Sequence, residues 1–212
     1  MDVVVSLPAF VVAVLLISAS PGPAMALIFR RAAVRGFRGA VPTVLGLELG
    51  LYVWALLAAA GVAALVAASQ VAFVGLRVAG AVVLVVLGVR AWRAAWRDRG
   101  IPPDAPPAPT ATGGWWRALG EGALVQLANP KAAVFMGGVL PAARAAGRPL
   151  FATTALLALL QVALEIVLYL SLAAGVARAG SWFRRTTVQR RLDAITGTVL
   201  VGPGVRVTVD GR

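Results

Sequence analysis

Three ionisable side chains, Glu48, Lys131 and Glu165, stand deep inside long uncharged stretches of this 212-residue sequence. Placing such a group at the centre of a membrane span costs on the order of 2.5 to 3.5 kcal/mol on insertion scales, so each needs a buried partner or a hydrated cavity. The two carboxyls can take up and release a proton, and Glu165 is the first candidate for carrying one in a coupled process. Either glutamate could instead neutralise Lys131 or bind a substrate's amino group. Lys131 is suited to the anionic end of a small molecule, or to a permanent structural pair with a glutamate. It directly follows Asn129-Pro130, and a similar run, Ser20-Pro21-Gly22-Pro23, lies near the other end of the chain. Each reads as a small polar residue followed by proline, the pattern with which a helix begins: Ser20 or Asn129 can cap, and Pro21 or Pro130 fits the first turn. A helix start inside a span presents amide N–H groups and the positive end of a dipole to a carboxylate. The plainer reading of either run is a proline kink absorbed by neighbouring helices. Ser20 with Lys131 also makes a nominal Ser-Lys pair for hydrolysis, with nothing marking an oxyanion hole. Cysteine and histidine are both absent, which removes disulfides and thiolate or imidazole metal ligands. No catalytic residue, metal ligand or cofactor is expected.

The elements that hold these residues are written in the hydropathy. The chain is 60% hydrophobic and 13% charged, against about 45 to 50% and about 25% for globular domains. Its solvent is therefore expected to be a lipid bilayer. Val3 to Phe29 carries no charge, and the run from Gly39 to Leu76 carries only Glu48 and divides at Ser69-Gln70. Those segments give span one, span two at about 40–65 and span three at about 71–91, each long enough for the roughly 20 residues a bilayer requires. Span four is expected at about 119–143, with Glu121 and Lys131 inside it, and span five at about 149–177. Span six is weakest, because only Ala194 to Val205 is free of charge and Gly202-Pro203-Gly204 interrupts it. Between the halves lies a basic, proline-rich segment unable to pack a core. The expected division is a first three-helix repeat at 1–91, a cytoplasmic linker at 92–117 and a second three-helix repeat at 118–212. Gly46-x-x-x-Gly50 reads as a close helix contact. Arg117 and Glu121, four apart, read as an ordinary pair along one helix. Tyr52, Gln126, Gln161 and Tyr169 are further hydrogen-bonding groups within the spans.

The net charge of +12 sits in short clusters between apolar runs, which argues against a nucleic-acid partner and for membrane orientation. Basic residues divide fourteen to four between alternate loops, placing the loops after spans one, three and five in the cytoplasm and both termini outside. Trp92, Trp96, Trp115, Trp116 and Trp182 flank the same basic loops, where indole favours the headgroup boundary. Spans one to three then run opposite to spans four to six, the inverted plan recurrent in secondary transporters. The fold class expected is an all-α integral membrane protein of six transmembrane helices, arranged as two inverted three-helix repeats with helices 1 and 4 broken at their proline motifs.

Ser20-Pro21-Gly22-Pro23, the glycine-spaced Gly46 to Gly61 of span two, Asn129-Pro130-Lys131-Ala132 and the closing Thr196-Gly197-Thr198 to Arg206 resemble the LysE/RhtB family of amino-acid exporters. The likeness covers nearly the whole chain in length and order of spans. It implies a carrier in the bacterial cytoplasmic (inner) membrane that expels amino acids or related small zwitterionic solutes, in exchange for protons. Substrate binding would fall to Ser20, Pro21, Gly22, Pro23, Asn129, Pro130 and Lys131, and proton coupling to Glu48 and Glu165. The partners expected are a small-molecule substrate, protons and lipid, with a homo-oligomer compatible with the pattern. The alternatives are an exporter of metal cations, which should gather more carboxylates than two, and an intramembrane enzyme.

Overall fold

The computed structural model describes residues 3–20, 22–60, 69–97, 114–129, 132, 150–179 and 186–209. Among these, all regular structure is helical: α1 (Val3–Ala19), α2 (Pro23–Ala59), α3 (Gln70–Arg97), α4 (Trp115–Leu127), α5 (Leu150–Arg178) and α6 (Thr186–Val209). Pro21, Pro130, Lys131, residues 98–113 of the linker and nearly all of 130–149 lie outside the described residues.

Three expectations change. The basic cluster Arg30, Arg31, Arg35 and Arg38 is not an open loop between two spans, because helix runs up to it and on from it with a break at Gly36 alone. Arginine is a good helix former, so a charge cluster by itself does not end a helix. The direction changes instead at Gly36, where φ is 69° and ψ is −176°, a combination reserved in practice for glycine. Beyond it, 37–59 is long enough to cross about 30 Å of hydrocarbon. Second, α6 begins at Thr186 and runs through Gly202-Pro203-Gly204, giving 24 residues of helix. The longest uncharged run within those 24 residues is the twelve from Ala194 to Val205, and the helix can admit Asp193 because Arg30 donates a hydrogen bond to that carboxylate from α2. Third, Glu121 pairs with Arg31 across the α2–α4 boundary, not with Arg117 along its own helix.

Helix α2 is the centre of the packing and touches α4, α5 and α6, while α3 lies along α6 and α1 along α5. The core joins Leu27, Ile28 and Val44 of α2 to Leu84 of α3, Val125 of α4, Tyr169 of α5 and Leu200 of α6. Glycine makes the tightest boundary. A Cβ at Gly46 would run into the backbone of Leu119 and Ala123, one at Gly50 would lie 2.8 Å from the Ala123 carbonyl, and one at Gly122 would strike the Thr43 carbonyl. The Gly46-x-x-x-Gly50 pair thus lets α2 and α4 meet backbone to backbone, the arrangement that drives association where no hydrophobic effect operates between helices. Outer faces are apolar: Val74, Val78, Val82 and Val86 of α3 and Leu156, Leu159 and Val167 of α5 are exposed. Among the described residues, the helices Pro23–Ala59 and Phe151–Arg178 are long and apolar enough to cross a membrane by length and composition.

Candidate functional site

Chain direction at the end of α1 is set by a short non-helical step. The Ser20 amide and hydroxyl both donate to the Ile17 carbonyl, at 3.1 and 2.8 Å, closing α1. Gly22, extended at φ −172° and ψ −176°, is the N-cap of α2 and provides no side-chain cap, and Pro23 occupies the first turn. The N-cap position of α2 thus falls at Gly22 and not at Ser20, where the sequence suggested it. Proline at the start of α2 forfeits no hydrogen bond, since the first donors of a helix have no partner within it. The first bond of α2 runs from the Ala26 amide to the Gly22 carbonyl at 3.0 Å, so the earlier amides of Ala24 and Met25 stand at an open helix start.

That start faces a cavity with about 30 Å³ of free volume, enough for on the order of two waters. Ser18, Ser20, Gly22, Ala24 and Met25 line it from the α1–α2 side. Gln126 and Asn129, at the end of α4, close a second wall, and Asn129 Nδ2 donates to Gln126 Oε1 at 3.3 Å. The third wall belongs to α5. Its buried face runs through Thr154, Ala158, Gln161, Glu165, Tyr169 and Ala173, the three- and four-residue steps of one helical stripe. Gln161, Glu165 and Tyr169 line the cavity. Gln161 Nε2 donates to Glu165 Oε1 at 2.7 Å, and the Tyr169 side chain lies beside Glu165 and Ser18. The cavity thus draws polar side chains from both α1 and α5.

Of the residues singled out in the sequence, the structure brings Ser20, Gly22, Asn129 and Glu165 to this cavity. Pro23 is buried just behind the lining. Pro21, Pro130 and Lys131 lie outside the described residues. Glu48 is 2% exposed and does not line the cavity, yet it lies close enough to Glu165 for the two carboxyls to interact. Neither of its oxygens has a hydrogen-bond partner among the described residues. Gln126, Gln161 and Tyr169 prove to face the cavity, whereas Tyr52 packs in a separate apolar cluster with Leu51 and Ala158. Ser18 is the polar lining residue that sequence reasoning missed: a serine within an apolar helix carries no signal of its facing. No group of three or more His, Cys, Asp or Glu residues gathers among the described residues.

A family model described as LysE type translocator matches residues 15–211. The chain is 28% identical over 186 residues to the homoserine/homoserine lactone efflux protein of Salmonella typhimurium, a match covering 88% of this chain and 87% of that one. It is 34% identical over 205 residues to an uncharacterised membrane protein of Pseudomonas aeruginosa, covering 93% and 92% respectively. With the threonine efflux protein of Escherichia coli it shares 31% identity over 120 residues, 57% of each chain. No solved structure matches the chain.

Proposed function

We propose, of a chain that belongs to the LysE type translocator family, that it is a secondary carrier in the bacterial inner membrane exporting a small zwitterionic amino acid, of the threonine or homoserine kind, in exchange for protons. The observation that carries this reading is the cavity itself. It is built where α1 gives way to α2 and where α4 ends, and it gathers a carboxylate, amides, hydroxyls and a helix start between outwardly apolar helices. Such a set suits a molecule with an ammonium at one end and a carboxylate at the other. The carboxylate would meet the open amides beyond Gly22 and Pro23, with Ser20, Pro21, Asn129, Pro130 and Lys131 completing the substrate-binding set. Glu48 and Glu165, both buried, are the two carboxyls through which proton exchange is coupled to the substrate, since a carboxyl held within a span marks a proton route.

Alternating access follows from an inverted repeat in which span one corresponds to four, two to five and three to six. The packing supports that reading, because the α3–α6 contact joins corresponding spans. The end of α1 and the end of α4 lie beside the two proline runs of the sequence, which the repeat puts in corresponding places. Residues 1–91 and 118–212 are the two repeats, joined by the 92–117 linker, and the positive clusters place both termini outside.

The test is efflux from proteoliposomes loaded with labelled L-threonine or L-homoserine. Efflux should accelerate under an imposed proton gradient entering the vesicle and slow when a protonophore collapses it. Lys131→Ala should weaken it. Transport of divalent cations with no amino-acid flux would overturn the reading.

A further inference from the structure

Two carboxyls that look equivalent along the chain have different surroundings in the fold. Glu165 opens on the cavity and accepts a hydrogen bond from Gln161 Nε2 at 2.7 Å. Among the described residues it is the only ionisable carboxyl in the lining. Beside it, Gln161 Oε1 is buried and accepts no hydrogen bond. Gln161 is 3% exposed, and a sealed carbonyl oxygen without a donor is costly, so the site has an acceptor in reserve for a ligand rich in donors. A primary ammonium brings three donors and a positive charge. Glu48 sits behind the lining, sealed, and among the described residues neither of its oxygens has a donor. It is placed to hold a proton, which is small enough to reach it, and not a substrate group, which is not.

We infer, on the footing of the amino-acid export proposed above, that Glu165 with Gln161 grips the substrate's ammonium while Glu48 alone carries the exchanged proton. The titratable groups that face Glu48 from α5 are Glu165 and Tyr169. Helix α4 packs on the same stretch of α2, and its Glu121 is occupied by Arg31. The two glutamates lie close enough to share one field. An ammonium on Glu165 and a proton on Glu48 therefore offset the same negative charge, and each displaces the other. As the ammonium arrives, the proton on Glu48 passes to water. When the ammonium leaves on the other side, a proton returns to Glu48 and resets the pair. Charge at the pair is the same in both states, and exchange is one for one.

The experiment compares two modes of flux in proteoliposomes of the full chain. Counterflow, in which external labelled L-threonine exchanges for internal unlabelled L-threonine without a pH gradient, requires substrate binding but no net proton movement. Glu48→Gln should keep counterflow near the wild-type rate and lose gradient-driven transport. Glu165→Gln should lose both, by roughly tenfold or more, as expected when a charged hydrogen-bond partner is removed. The threonine analogue with hydroxyl in place of the ammonium should fail to compete in the wild type. A measurement on the unaltered protein covers the case of a variant that does not fold: L-threonine added to the detergent-purified carrier should release a proton, read by an indicator dye in weak buffer. Counterflow intact in folded Glu165→Gln, or binding without proton release, overturns the assignment. Absence of any amino-acid flux in the wild type overturns the export reading instead.

Discussion

Adding one methyl group at Gly122 should cost about 3 kcal/mol of stability, at the severe end of overpacking, because it lands on the Thr43 carbonyl of α2. Peptide backbone cannot rotate out of the way as a side-chain tip can. The helices must separate, and separation also strips contacts from Gly46 and Gly50, which meet α4 along the same line. The control lies two residues earlier on the same helix. At Gly120 an added Cβ would meet nothing within 4 Å, so Gly120→Ala should stabilise α4 by up to about 1 kcal/mol through helix propensity alone. Thermal unfolding in detergent should then show opposite shifts for Gly122→Ala and Gly120→Ala. Equal shifts of the same sign would mean that α2 and α4 do not meet backbone to backbone.

The second large effect is expected at Arg31, which is 7% exposed although it carries a full charge. Its guanidinium donates to Glu121, and the two side chains keep only 8% and 22% of their exposure. Removing one member of a buried pair strands the other. Arg31→Ala should therefore cost about 3 kcal/mol, the low end of the range for such pairs because Glu121 keeps some contact with solvent. Arg31→Glu should be worse, since it sets two carboxylates together, and the exchange Arg31→Glu with Glu121→Arg should recover much of the loss. Function should follow stability here for a structural reason. The pair joins the first half of the chain to the second, one turn before the change of direction at Gly36, and Arg30 makes a parallel tie to Asp193 of α6. Melting temperature and threonine counterflow, measured on the single and exchanged variants, check both parts. An exchanged variant no better than Arg31→Glu would show that the two side chains do not act as a pair.

Helix α5 could be read from the chain almost to the residue, because its uncharged run is long and broken only by Glu165. Helix α3 starts where the sequence places it but runs on to Arg97, past the expected end at 91, because the arginines there do not stop a helix. Span one and the basic cluster after it were harder, because arginine reports the membrane boundary and not the end of a helix. The turning point is Gly36, and a lone glycine among arginines carries little signal until its φ is known. Span six looked short for a related reason. Asp193 seemed to mark an interface, whereas a partner 163 residues away allows the helix to run past it. Glu121 misled in the same way, since spacing along one helix cannot show a neighbour on another. At the cavity, Ser20, Gly22, Asn129 and Glu165 could be selected by residue type. The facing of Gln161 and Tyr169 was implicit in their four-residue steps from Glu165, but only contact with α1 brings Ser18 into the set. The separate surroundings of Glu48 and Glu165 had no expression in sequence at all, because both read as a single acid within an apolar run.

The absence of native cysteine permits the most direct examination of the cavity as the place where the exported molecule binds. A single cysteine at Ser18, with transport retained, should react with a small water-soluble thiol reagent as the carrier cycles. Saturating L-threonine or L-homoserine should slow that reaction while leaving a cysteine at Ala179, at the far end of α5, unaffected. Labelling at Ser18 that proceeds unchanged while the same protein transports the amino acid would place the binding site elsewhere and contradict the account.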